Sequence, residues 1–245
     1  PYYIPDTICG KSGKPIILEA DHPGKVVFDG SGFDRKLPAL TVRGSHWIID
    51  GIVFRNAPSS GLYVCGSHNL VRNCQAVSNG DTGFLICSFP GVSKNEWPKR
   101  NRIENCLSQD NCDKVRRNAD GFGAKLTVGK GNIFVSCKAF HNIDDGFDLY
   151  TKSNIGPISP VSLIDCEAAF NGWLSGEERP GGDPQAGIGF KLGGESQEVR
   201  HKVRNCVAHD NARMGFCANS NPVVFLRNCE AWGNIENNNV PIKKI

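Results

Sequence analysis

The 245-residue chain reads as an all-β solenoid, a single-stranded, right-handed parallel β-helix with internal asparagine and cysteine ladders. Three observations predict it. Six cysteines, Cys74, Cys106, Cys137, Cys166, Cys206 and Cys229, are each followed five residues later by an asparagine: Asn79, Asn111, Asn142, Asn171, Asn211 and Asn234. In five of the six an alanine stands two places after the cysteine, and Ser108 takes that place in the other. Second, the cysteines lie 32, 31, 29, 40 and 23 residues apart. A short unit that accepts insertions is the mark of a repeat whose units bury their apolar faces only by stacking on their neighbours. Third, a glycine after each of the first five asparagines, at Gly83, Gly121, Gly146, Gly187 and Gly215, opens a period of two. The first and third places after it are apolar, as in Phe84/Ile86 and Phe147/Leu149, while the second and fourth are mixed or polar. Such alternation is a strand with one face in the core.

The elements follow in order. Residues 1–60 read as earlier coils: Pro15 to Ala20 and Val26 to Gly30 are strand-and-turn pairs, and Leu40 to Val42 with Trp47 to Phe54 repeat the idea. An open first coil needs covering, and no amphipathic helix precedes Pro1, so the chain is expected to begin after a missing cap. Cys65 and Cys87 both fall four places after their glycines on adjacent coils, which makes them the one disulfide candidate, set against two free thiols on a strand face. After Trp232 the chain turns polar and a frayed tail is expected. Leucine is too scarce for a leucine-rich repeat. One domain over residues 1–245, as a monomer, is the default.

Composition narrows the function. A net charge of +3 with no long Lys/Arg block argues against nucleic acid. No apolar run reaches membrane-spanning length, and no signal-type leader opens the chain, so secretion with a leader already removed is expected. Absence of any C-x-x-C pair, and six histidines without metal spacing, argue against zinc.

The segments Asn118-Ala-Asp-Gly-Phe-Gly-Ala-Lys125 and Asn142-Ile-Asp-Asp-Gly-Phe-Asp148 carry the chemistry. Asp120 and Asp145 immediately precede their glycines, so stacking coils places one above the other. Asp144 lies one residue earlier, and Asp148 is the outward residue two places after Gly146. Four unpaired carboxylates together repel one another by several kcal/mol unless a cation sits among them. An all-oxygen set suits calcium. Lys125 and Lys191 both follow their aligned glycines by four places, on the outward face, with Tyr150 between them, so Lys191 lies one coil beyond Asp148. A cation beside a lysine is the arrangement for β-elimination on a uronic acid polymer. The cation and the neighbouring lysine are expected to lower the amine's pKa from about 10.4, so that activity rises toward alkaline pH. The residues alone leave Lys125 and Lys191 both open as the base. Lys125, Tyr150, Lys152 and Arg213, with Lys202, Arg116 and Arg117, are candidates to hold an acidic polysaccharide along the groove, each set against plain solvated surface. Trp173 and Trp232 are candidates to stack on sugar rings, with packing as the alternative, and His141 and His209 read as structural.

Asn118 to Thr127, Asp144-Asp-Gly-Phe-Asp-Leu149 and Gly189-Phe-Lys-Leu-Gly-Gly194 resemble the pectate lyases of polysaccharide lyase family 9. The resemblance covers the chain from about residue 40 onward. It implies calcium held by the matching Asp120, Asp144, Asp145 and Asp148, and Lys191 as the catalytic base. The chain departs from the family in its few N-terminal coils and in its 172–185 loop. Two other functions fit the residues. One is a β-helical glycoside hydrolase with Asp144 and Asp145 as acid and base. The other is a non-catalytic glycan-binding β-helix stiffened by calcium.

Overall fold

The computed structural model describes residues 2–180 and 186–243. Three parallel sheets run along one axis, with nine, nine and eight strands. The chain visits each sheet once per coil, so sheet neighbours are one coil apart in sequence. The sheet that carries the site contains Tyr2–Ile4, Leu40–Val42, Leu62–Val64, Phe84–Ile86, Phe122–Ala124, Phe147–Asp148, Ile188–Lys191, Met214–Cys217 and Glu236–Asn238. Among the described residues the one helical turn is Lys94–Glu96, and no helix is long and apolar enough to cross a membrane.

Two corners make each coil close. Between the second and third sheets a single left-handed residue stands directly before each ladder cysteine: Asn73, Asn105, Ser136, Asp165, Asn205 and Asn228, all at φ between 50° and 54°. Asn and Asp tolerate that conformation better than other side chains with a Cβ. Each ladder thiol turns back to donate to the carbonyl two residues earlier, as in Cys74 to Arg72 (3.1 Å) and Cys166 to Ile164 (3.3 Å). Leaving the third sheet, Ser78, Asp110, His141, Phe170, Asp210 and Gly233 are again left-handed, each directly before a ladder asparagine. From Asn111 onward each asparagine Oδ1 accepts from the backbone N–H and the Nδ2 of the asparagine one coil before it, as between Asn142 and Asn171 (3.1 and 3.0 Å), and Asn79 Oδ1 accepts from Ala57 N–H (3.1 Å). Both expected ladders are present.

Inside the cylinder, Phe84, Phe122, Phe147, Phe190 and Phe216 stack face to face with centroids 5.1, 4.9, 4.7 and 4.8 Å apart. All five are fully buried. This stack fixes the register of the site sheet and corrects one expectation. Phe190, not Ile188, pairs with Phe147, and Gly189, not Gly187, stands over Gly146. The sequence alignment is two residues off on that coil. A shift of two keeps every side chain on its own face, so the apolar alternation looked intact.

Two further differences appear. A second ladder, Asn69, Asn101 and Asn132, links the coils at the corner between the first and second sheets: Asn69 accepts from Trp47 N–H (2.9 Å), Asn101 from Asn69 N–H and Asn132 from Asn101 N–H (both 3.0 Å). Farther along the axis, at the corresponding place, His201 Nδ1 accepts from Val161 N–H at 3.2 Å. The polar tail is not frayed through the described residues. Glu236–Asn238 and Ile242–Lys243 add strands to the first two sheets, because their backbones complete the ladder of the coil before. Of the two readings of Cys65 and Cys87, the structure has free thiols, directly after the adjacent strands Leu62–Val64 and Phe84–Ile86, and Cys87 Sγ lies 3.1 Å from Thr127 Oγ1.

Candidate active site

Three adjacent strands, Phe122–Ala124, Phe147–Asp148 and Ile188–Lys191, carry the acidic cluster and both lysines. Gly121 and Gly146 lie where one coil crosses the next: a Cβ on Gly121 would sit 2.7 Å from Gly146 O, and one on Gly146 would sit 2.6 Å from Gly189 O. Glycine therefore sets the spacing at which the preceding aspartates stack. Asp120 Oδ1 accepts from Asp145 N–H (3.2 Å), and Asp145 Oδ1 accepts from Ile188 N–H (3.0 Å). Thr82, which the sequence did not point to, donates its hydroxyl to Asp120 Oδ2 at 3.2 Å.

One oxygen from each of Asp120, Asp144 and Asp145 lies within 4.8 Å of the others. Asp148 stands beside this trio rather than in it. Its Oδ1 accepts from Tyr150 N–H (2.9 Å) and its Oδ2 from Lys125 Nζ (3.1 Å). The same ammonium of Lys125 bonds Asp120 Oδ2, so Lys125 bridges two carboxylates from within the cluster. Lys191 is in direct register with Asp148, two places after its aligned glycine and not the expected four. Its Nζ faces Asp145 Oδ2 at 3.0 Å and Asp148 Oδ1 at 3.9 Å.

Burial pushes Asp144 up to about 10, with Asp145 and Asp120 adding to it, and Asp120 up to about 7 against the opposing pull of Lys125. Asp145 is raised by burial too. Burial alone would lower Lys191, but Asp145, Asp148, Asp120 and Asp144 outweigh it and hold the ammonium above the ordinary lysine value. The expected lowering is therefore not produced by the residues themselves, because four acids face two ammoniums. Asp145 Oδ2 is buried and takes no hydrogen bond, the Lys191 contact being an ion pair without aligned geometry. A buried oxygen without a donor, in a cluster two positive charges short, fits a hard divalent cation held by oxygen.

The other expected residues divide. Tyr150 is fixed as a wall beside Lys191: its hydroxyl donates to Glu195 Oε1 (2.8 Å), and the Lys191 ammonium lies 5.4 Å from its ring centre. Gly194 permits this, since a Cβ there would be 2.2 Å from the ring. Glu195 also holds Ser153 through its N–H and hydroxyl (both 2.8 Å), and no spacing rule pointed to it. Lys152 is exposed in the turn after Tyr150, and half-buried Arg213 directly precedes Met214–Cys217, the strand beside that of Lys191. Lys202 lies on the second sheet, away from the site, because its coil has already turned the corner. Arg116 pairs with Glu177 at 2.7 Å, and Arg117 lines a cleft of about 420 Å³ with Ile143 and Trp173. Trp173 packs edge-on against His141 and Phe170 rather than facing solvent. Trp232 is 47% exposed and stacks on His209, which Glu167 and Asp210 hold from both sides. The far end of the 172–185 loop lies outside the described residues.

Fold and cluster together define a parallel β-helix with a buried acidic site, bracketed by lysines, on the outer side of one sheet. The chain belongs to the Pel9A-like right-handed β-helix family, whose profile matches residues 3–244. It is 47% identical over 225 residues to pectate lyase L of Thermoclostridium stercorarium, covering 90% of this chain and 18% of that protein. It is 40% identical to pectate lyase L of Paenibacillus polymyxa, over 86% of this chain and 47% of that one. The crystal structure of pectate lyase Pel9A superposes with a TM-score of 0.75 at 32% identity, over 92% of this chain and 57% of the other. The chain thus spans less than two thirds of each of these relatives.

Proposed function

We propose that this chain is the catalytic β-helix of a secreted, calcium-dependent pectate lyase that cleaves polygalacturonate by β-elimination, with Lys191 as the base. The observation that carries the reading is the register of Lys191 with Asp148, which sets one amine against the three-aspartate cluster on the outward face of one sheet. The pectate lyases among its relatives support the substrate. Calcium bound by Asp120, Asp144, Asp145 and Asp148 would neutralise the uronate carboxylate and make the neighbouring C5 proton more acidic. Lys191, as the free amine, takes that proton. The released electron pair forms the C4–C5 double bond, and the glycosidic oxygen on C4 departs and picks up a proton from water. Tyr150, pinned by Glu195, limits where the Lys191 side chain can swing. Lys125 keeps Asp120 and Asp148 together during the reaction. Lys152 and Arg213 flank the site as cations for neighbouring sugar carboxylates.

One assay tests the reading: polygalacturonate is incubated with calcium or with chelator, and ultraviolet absorbance of the unsaturated uronide is followed beside reducing ends. Calcium-dependent absorbance supports it. Reducing ends without absorbance indicate a hydrolase, and neither signal indicates a non-catalytic binder. Lys191→Ala should lower turnover at least about 100-fold while calcium affinity stays nearly intact. Substantial residual activity would move the base to Lys125.

A further inference from the structure

The outward column of the site sheet runs unbroken from the first coil to the cluster: Tyr3, Thr41, Tyr63, Leu85, Gly123, Asp148, Lys191. Its near end is a groove of about 510 Å³ lined by Tyr3, Tyr63, Leu85, Phe89, Lys36 and Asp81 among others. Tyr3 is 51% exposed. The Tyr63 and Phe89 rings lie 5.4 Å apart and tilted by 43°. Arg43 ties the aromatics together, with its guanidinium 5.2 Å from the Phe89 ring centre and hydrogen-bonded to the Tyr3 hydroxyl at 3.2 Å. A surface that keeps aromatic faces open around a polar rim is built to receive a ligand with apolar faces and polar edges.

Continuity identifies that ligand. Gly123, the one glycine in the column, stands between Leu85 and Asp148, and a Cβ there would lie 3.1 Å from Leu85 Cδ1. Glycine leaves the floor clear, so an extended chain can pass from the groove to the cluster. The distance from Leu85 to Asp148 is two strand spacings, roughly 10 Å, which a few sugar units span. Lys36, with 69% of its side chain exposed, supplies a cation at the groove's edge, held only loosely by Asp81 at 3.7 Å. A uronate polymer presents sugar faces to the rings and a carboxylate to that ammonium.

We infer that this groove is a distal subsite for the same polyuronate chain whose reacting unit lies at the aspartate cluster. The inference rests on the lyase reading above. The substrate then crosses four or more coils, and its length outside the reacting unit is recognised.

The test measures binding in calcium on a Lys191→Ala background, by titration calorimetry with oligogalacturonates of two and of eight units. Tyr3→Ala with Phe89→Ala should weaken the octamer about tenfold, the size of one or two lost ring contacts, and leave the dimer unchanged. Lys36→Ala, at a surface site that cannot disturb packing, should weaken the octamer alone, and added salt should erase its effect. Loss of neither length, or equal loss of both, in the two sets of variants overturns the subsite and leaves the lyase reading standing. A groove-intact protein that binds neither length, and a Lys191-containing chain that yields no unsaturated product, overturns the lyase reading and the subsite with it.

Discussion

Asn171→Ala tests what holds the coils in register. Asn171 is fully buried. Its Oδ1 accepts from Asn142 N–H (3.1 Å) and Asn142 Nδ2 (3.0 Å), and its own Nδ2 donates to Ala139 O (3.1 Å) and Asn211 Oδ1 (2.9 Å). Truncation removes all four bonds and strands their partners where water does not reach. At about 1 kcal/mol net for each bond, the expected loss is roughly 4 kcal/mol. Asn234, the last rung, is only partly buried and makes a similar set of bonds to Asn211, Ala208 and Trp232. Water can replace most of them, so Asn234→Ala should cost only about 1–2 kcal/mol. Urea unfolding followed by circular dichroism measures both. Solenoids can unfold in stages, so the comparison requires a single transition of unchanged slope. Calcium titration gives a second readout, because Asn142 lies two residues before Asp144 and should lose its anchor in the Asn171 variant alone. A loss below about 1 kcal/mol at Asn171, or equal losses at the two rungs, would refute the ladder as the source of register.

The remaining predictions concern acid and packing. His201 is buried, its Nδ1 takes the Val161 N–H and its Nε2 has no partner, so burial pushes its pKa down to about 3. An unfolded histidine binds its proton near 6.5, so the native state is favoured above that value and loses stability as pH falls from about 6.5 to 3, by up to roughly 3–5 kcal/mol. His201→Leu should remove that slope from melting temperatures recorded between pH 7 and 4, and an unchanged slope would refute the assignment. Gly146→Ala places a Cβ 2.6 Å from Gly189 O and 2.8 Å from Ala168 Cβ, so thermal denaturation should show a loss of about 2–3 kcal/mol. Gly32→Ala meets nothing within 4 Å and should be neutral or slightly stabilising.

The fold was legible because a β-helix writes its geometry into fixed offsets. The cysteine and the asparagine five residues later bracket one strand of the third sheet with its two left-handed corners, and insertions fall outside that window. The same ruler read backwards would have exposed the second ladder, since Asn69, Asn101 and Asn132 each precede a ladder cysteine by five residues. His201 stands at that offset as well, which is where the Val161 N–H needs an acceptor. The stacking of Asp120 and Asp145 was legible from their shared place before a glycine. So were the coil and face of Lys191, one coil beyond Asp148; its register was not, because a slip of two residues changes which residues are neighbours without changing which face they occupy. Glu195 and Thr82 act through contacts made only after folding, across 45 and 38 residues, and leave no local trace.

The stacked phenylalanines behind the site sheet also separate two kinds of evolutionary freedom. They clamp the acidic cluster and its lysines to a fixed lattice, while the connections at residues 87–100 and 172–180 carry no strand of the three sheets and can lengthen or shorten without moving that lattice. A lineage built on such a chassis can exchange its rims, and with them what the surface around the cluster contacts, while the cluster itself stays untouched.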